Sequence, residues 1–389
     1  MGQSNQNDSF DLYSSTDDNF DLYSFSTRGN DRKKRRIIRH TVNVVASIVL
    51  VISVLLTGVM GAYLSVAGIR INQETDETDE YGDLTFSSSS GVSYILIAGV
   101  DKKETLTDII IVACIDHEKN TLNFLQIPRD TFAGDDIPSR KMNAVYGNPR
   151  KGEASINALR RRISSYFGIP LDHYCIFTIN GFIKIIDALG GIDIYIEQKN
   201  GIRIIVKNKG DKRDRIGPGW VTLNGEMAAG FVRKRTGTSD GYYKGDIDRI
   251  EAQRLVYVAL AKKLKSMSAG QMFNVAKNCY SEISTDMSIN RILGYATEVK
   301  SISMENMGVY AVPGQSITYK GLSMWSPHKD DYIQIFNNYL NPHGAPITEN
   351  DIQMVELHTL LGVGKKTSQV EQGGSLASVE QAGKQDTEK

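Results

Sequence analysis

Residues 127–131 read IPRDT, and Arg129 and Asp130 within it close an apolar run that begins at Leu122. On an exposed loop such a charge pair would be ordinary. At the carboxyl end of a strand in an open α/β sheet it lies where those folds place ligands. Other apolar runs also carry charge at their ends. Asp101 follows VSYILIAGV (92–100), and Asp108 opens the run that continues IIIVACI (109–115). FVRKR (231–235) supplies Arg233 and Arg235, which point to one side if the segment is extended. In GDIDRIEAQR (245–254), a helix would place Asp246, Arg249 and Gln253 on one face of its first two turns. The free N–H groups and dipole of a helix N-terminus favour anions there.

Arginine grips phosphate through two parallel hydrogen bonds and keeps its charge when water is removed. Arg129, Arg233, Arg235 and Arg249, brought together, would bind pyrophosphate or another polyanion. Asp101 and Asp108 at neighbouring strand ends would hold a divalent cation such as magnesium, whose other ligands are phosphate oxygens and water. The set has the makings of phosphoryl transfer, in which metal and arginines neutralise developing charge. Taken singly, each residue is better explained by a surface salt bridge. Only the shared placement at element ends supports the chemical reading.

The elements that must position these residues alternate in type. Besides 92–100 and 109–115, the run TLNFLQI (121–127) reads as a strand, joined to its predecessor through DHEKN (116–120) in a hairpin. Ile156, Leu159, Ile163 and Phe167 keep helical spacing over 153–167, and Gly168 and Pro170 stop that helix. HYCIFTI (173–179) is a strand, GFIKIIDALGG (181–191) a helix ended by glycine, IDIYI (192–196) a strand, and 246–265 a long helix. This alternation predicts an α/β fold, a sandwich with a central sheet, spanning 92–363.

Residues 41–69 contain no charge, which is long enough to cross a bilayer, since about 20 apolar residues suffice. RKKRRIIRH (32–40) precedes them, and the following stretch 71–83 holds acids and no Lys or Arg. The positive-inside rule then predicts a single transmembrane helix with a cytoplasmic N-terminus and an extracytoplasmic folded domain. Residues 1–40 are polar, repeat FDLYS at 10–14 and 20–24, and are expected to be disordered. Residues 70–91 read as an acidic and serine-rich linker, and 364–389 as a solvated tail. Lys and Arg number 45 against 45 Asp and Glu, a balance that argues against a nucleic-acid partner. The three cysteines are far apart and do not suggest a disulfide framework.

The stretches DIIIVACIDHEKNTLNFLQIPRDTF, KMNAVYG, FGIPLDHYCIFTINGFIKIIDALGGIDI, LNGEMAAGFVRKR and GDIDRIEAQR, in that order over about 92–265, resemble the LytR-CpsA-Psr family. The resemblance implies an α/β/α sandwich around a central mixed sheet and a membrane-anchored phosphotransferase. Such enzymes move an anionic glycopolymer from an undecaprenyl-pyrophosphate carrier to peptidoglycan with the help of magnesium, and a hydrophobic tunnel takes the prenyl chain. It implies that Asp101 and Asp108 are the metal-linked aspartates. Arg129 would face the pyrophosphate, with Asp130 as its orienting partner or as a base. Arg233, Arg235, Asp246, Arg249 and Gln253 would complete the pyrophosphate site. The chain departs from the family's pattern at Leu106 and Ala252, where the family carries arginine. Those departures leave open a second reading: a non-catalytic module that binds the polyprenyl-linked glycan and scaffolds capsule or exopolysaccharide assembly.

Overall fold

The computed structural model describes residues 91–378 except 102, 199–200, 207–211, 235–245, 369 and 371–372, and excludes the side chains of 212–214 and 246–248. The expected membrane span, the linker before Gly91 and the FDLYS repeat lie outside the described residues. The described elements begin with β1 (Val92–Val100), β2 (Thr107–Asp116), β3 (Thr121–Gln126), α1 (Ser155–Phe167), β4 (His173–Thr178) and α2 (Ile179–Leu189). Next come β5 (Ile192–Ile196), β6 (Ile202–Val206), β7 (Lys212–Ile216), β8 (Gly219–Leu223), α3 (Gly225–Arg233) and α4 (Asp246–Lys265). The chain continues through α5 (Ala269–Cys279), β9 (Ile283–Thr285), α6 (Ile289–Ser301), β10 (Met307–Ala311), β11 (Gly314–Tyr319), β12 (Leu322–Pro327), α7 (Lys329–Ile335), α8 (Leu357–Leu360) and β13 (Gly373–Ser375).

Among the described residues, seven strands form one mixed sheet in the order β13-β10-β3-β2-β1-β4-β9. β1, β2 and β3 pair antiparallel, and the expected hairpin closes where Asp116 faces Thr121. β1 pairs parallel with β4, and β3 parallel with β10. β1 is buried along its whole length, so its alternate residues must serve two cores. Ile95 and Ile97 join Ile111, Ala113 and Ile115 in the core beneath α2 to α6. Leu96 and Ala98 join Ile110, Val112 and Cys114 in the core beneath α1 and α7. The result is the expected α/β/α sandwich. All three cysteines are buried free thiols, in agreement with the absence of a disulfide framework.

Three elements differ from the sequence reading. The IDIYI segment is a strand, β5, but it pairs with β8 in a separate two-stranded ladder and not in the central sheet. The FVRKR segment is helical through Arg233, not extended. Its conformation is decided upstream, where the Asn224 side chain accepts the Met227 N–H at 2.9 Å and caps the helix. Arg235 lies outside the described residues. Finally, part of the stretch read as a solvated tail belongs to the sheet: Gly373–Ser375 pairs antiparallel with β10, and Leu376 is fully buried in the larger core. Polar, glycine-rich composition hides a strand whose purpose is to cover an edge.

Leu376→Ala is therefore expected to destabilise the domain by about 2–4 kcal/mol, as other large-to-small core substitutions do. Urea unfolding measures this, and a change within about 0.5 kcal/mol, the range of surface substitutions, would show that this segment contributes nothing to the core.

Candidate active site

The carboxyl ends of β1, β3 and β4 and the start of β2 meet at one end of the sheet. Val100 of β1 faces Thr107 of β2, with a register irregularity between Gly99 and Val100. This brings Asp101 and Asp108 to the same edge. A cavity of about 360 Å³ opens there. Its lining combines the polar side chains of Asp101, Asp108, Arg233, Arg249 and Gln253 with the apolar ones of Ile109, Phe177, Ile179, Phe182 and Val232. Gly99 keeps that apolar wall close: a Cβ on it would come within 3.1 Å of the Phe177 ring.

The Asp101 carboxylate is held by its own loop. Its Oδ1 accepts the backbone N–H groups of Thr105 at 2.8 Å and Leu106 at 3.1 Å. Slight burial pushes its pKa up, but these donors more than offset that and hold the carboxyl below the ordinary range. Leu106 takes part through its backbone, while its side chain is exposed. The same loop is pinned from below, because a Cβ at Gly147 would collide with the Thr105 carbonyl oxygen.

Arg129 stands one contact behind the cavity lining. Its Nη1 donates to Asp108 Oδ1 at 2.6 Å, and its Nε lies 3.5 Å from Asp130 Oδ1. Lys141 Nζ contacts Asp130 Oδ2 at 3.1 Å. The chain Lys141–Asp130–Arg129–Asp108 thus alternates in charge and ends at a cavity carboxylate. The backbone explains why IPRDT holds this shape. Thr131 N–H and its hydroxyl both donate to the Pro128 carbonyl, at 2.9 and 2.6 Å. Met142 N–H then donates to the Thr131 carbonyl at 2.8 Å, and Asn143 N–H to the Arg129 carbonyl at 3.0 Å. KMNAVYG is the latch of the IPRDT turn, and Lys141 is a site residue that the sequence reading did not single out.

Arg249 and Gln253 lie on the first turns of α4 and are both buried. Gln253 Nε2 donates to the Val232 carbonyl at 3.3 Å and its Oε1 accepts from Gln126 Nε2, so one amide joins α4, α3 and the end of β3. Gln126 is a second residue the sequence did not reveal, being one polar letter inside a strand. Arg233 ends α3, with its Nε on the Ala229 carbonyl at 3.2 Å. Asp246 begins α4, and its side chain lies outside the described residues, as does all of Arg235. Ala252 is buried in the core below α4, turned from the cavity. Arg254 reaches the Val309 carbonyl of β10 at 3.5 Å.

The donor set suits magnesium. Two carboxylates open into one cavity, one of them kept ionised, and a magnesium ion needs no more than that from protein when phosphate and water supply the rest. Among the described residues no group of three or more His, Cys, Asp and Glu could hold a metal by itself.

Comparison with known proteins bears on this geometry. Residues 59–340 match the profile of the LytR_cpsA_psr family. The cell wall biosynthesis protein LcpA of Corynebacterium glutamicum is 24% identical over 330 residues, covering 73% of this chain and 61% of that protein. The polyisoprenyl-teichoic acid–peptidoglycan teichoic acid transferase TagV of Bacillus subtilis is 25% identical over 237 residues, 57% of each chain. The chain thus spans 61% and 57% of the lengths of these relatives. The crystal structure of B. subtilis TagV superposes with a TM-score of 0.54 at 21% identity, covering 69% of this chain and all of that one. The structure titled TagT bound to LIIa-WTA gives 0.52 at 18%, over 73% of this chain and 99% of the other. These likenesses show a shared fold.

Because Leu106 serves Asp101 through its N–H, Leu106→Arg is expected to leave the Asp101 carboxyl titrating below the ordinary range. Leu106→Pro, which lacks the N–H, should raise it. A carbon-detected NMR titration reads both. The sign follows from the lowered folded-state value: the stability contributed by ionised Asp101 is present above the unfolded-state pKa of about 3.9 and is lost as pH falls through the folded-state value. An unmoved titration in Leu106→Pro would remove that N–H as a cause.

Proposed function

The chain belongs to the LytR-CpsA-Psr family, and from that premise we propose that it transfers an anionic glycopolymer from a polyprenyl-pyrophosphate carrier to peptidoglycan. The observation that carries the proposal is the mixed lining of one cavity. Asp101, Asp108, Arg233 and Arg249 line it together with Phe177, Phe182, Ile179 and Val232. A lipid pyrophosphate has both characters, a double anion joined to an apolar chain. The names of the relatives, a teichoic acid transferase and a cell wall biosynthesis protein, agree with the chemistry.

In this reading Arg233 and Arg249 bind the pyrophosphate oxygens, where guanidinium groups keep their charge and offer paired donors. Asp101 and Asp108 would hold magnesium, which would supply neutralisation of charge on the phosphoryl oxygens. Arg129 fixes the Asp108 carboxylate, and Asp130, between Arg129 and Lys141, orients Arg129. A peptidoglycan hydroxyl attacks the polymer-side phosphorus and gives its proton to a carboxylate of the site. The bond to the lipid-side phosphate breaks, polyprenyl monophosphate leaves, and a phosphodiester remains. The expected apolar span at 41–69 would anchor the chain in the cell membrane, with the domain outside and the carrier within reach. At the two departures from the family's pattern, Leu106 meets Asp101 through its backbone N–H and Ala252 is packed in the core.

Arg129→Ala is expected to lower transfer by about 10²–10³-fold, the usual loss when a preorganised electrostatic group is removed, with an unchanged circular dichroism spectrum. Full-length protein, a polyprenyl-pyrophosphate-linked sugar and a peptidoglycan fragment supply the assay. Turnover equal to that of the unsubstituted chain would remove Arg129 from the site. Lipid binding with no product from the unsubstituted chain would favour the scaffolding reading.

A further inference from the structure

The second and smaller β structure of this domain carries a surface that the transfer reaction does not use. β5–β8 and β6–β7 are consecutive two-stranded ladders, with Ile196 facing Gly219 and then Ile202 facing Ile216. Both turn one face inward: Ile192, Ile194, Ile196, Ile202, Ile204, Val206 and Ile216 all enter the larger core. With a period of two, the residues between them must point away from that core.

Those outward residues combine apolar bulk with positive charge. Trp220 is 58% exposed and Ile205 53%, high values for side chains of this size. Arg203 and Arg215 are exposed and face each other across β6–β7. Tyr195 stands opposite Trp220, ring to ring at 5.5 Å, and Lys262 Nζ of α4 sits 5.8 Å from the Trp220 ring centre. Asp193 and, just past β5, Glu197 are exposed acids on this side, and the Asp193 carboxylate accepts the Thr222 hydroxyl at 2.5 Å.

We propose that this outward face docks on an anionic phospholipid surface. Exposed Trp and Ile among Arg and Lys match the layered chemistry of a bilayer interface, where indole sits at headgroup level and basic side chains meet lipid phosphates. The charge is complementary to such a surface, and the expected anchor keeps one near. A linker of the length of 70–91 reaches roughly 25 Å as a flexible coil. The face also touches the active-site wall. Lys234, which follows the cavity residue Arg233, donates through Nζ to the Arg203 carbonyl at 2.7 Å. Docking through β6 would hold the cavity close to the leaflet that carries a lipid-linked substrate. The inference shares the membrane anchor with the proposed function but not its chemistry, so it is tested without any substrate.

The test uses full-length protein in vesicles whose acyl chains are brominated and quench indole that enters the interface. The chain has two tryptophans. Trp325 is 5% exposed with its Nε1 on the Val312 carbonyl at 3.2 Å, and Trp220→Phe isolates its share of the signal. In anionic vesicles the Trp220 emission is expected to shift to the blue and be quenched. Both effects should vanish in zwitterionic vesicles, at an ionic strength of about 1 M, where screening is complete within about 3 Å, and in the double variant Arg203→Glu, Arg215→Glu. Should that variant fail to fold, Ile205→Ser gives the same readout from a site where an exposed side chain is exchanged. Equal Trp220 emission in anionic and zwitterionic vesicles overturns the proposal. So does an equal response to a soluble phosphate-bearing polymer with no anionic lipid present, which would make the face a polymer site.

Discussion

The ion pair between Arg129 and Asp108 joins the end of β3 to the start of β2 at 2.6 Å, and the charged part of the cavity depends on it. Left alone, Asp108 would face the cavity as a half-exposed carboxylate with many rotamers. With Arg129 behind it, one oxygen is fixed and the carboxylate is aimed. Asp130 Oδ1 lies 3.5 Å from Arg129 Nε, and its other oxygen is held by Lys141. None of these pairs is fully buried, so each alone contributes little to stability. Their value lies in order. A row of alternating charges, each with its partner supplied by a backbone-latched turn, is preorganised before any anion arrives, and preorganisation is what makes electrostatic groups effective in a site.

The sheet supplies the rest of the frame. β1 is buried on both faces, and its end is released from regular pairing at Gly99 and Val100, where Asp101 turns into its own loop. Beneath this edge, α2, α3 and α4 converge, and Gln253 ties two of them to the end of β3. α4 is buried on several sides, with Ile250, Ala252, Val256, Tyr257, Leu260 and Leu264 in the core and Arg249, Gln253 and Arg254 buried as well. The polar residues of its first turns are therefore delivered to the cavity with little freedom.

Much of this was legible in the sequence because period and spacing are local. The two buried faces of β1 and β2, the 116–120 hairpin and the bounds of α4 follow from runs and turn residues. So does the shared face of Arg249 and Gln253. The parts that were not legible are those set by distant partners. The helix through Arg233 is decided by a cap at Asn224, against the β-rich look of FVRKR. The strand at 373–375 is decided by the bare edge of β10. Lys141 gains its place from an aspartate in another turn, and nothing in KMNAVYG alone points to it.

The most direct test of the account is the position of a bound prenyl pyrophosphate, determined crystallographically with magnesium present. The account predicts both phosphates beside Asp101, Asp108, Arg233 and Arg249, and the prenyl chain along Phe177 and Phe182. A lipid bound with its phosphates elsewhere, and this cavity filled by other groups, would contradict it.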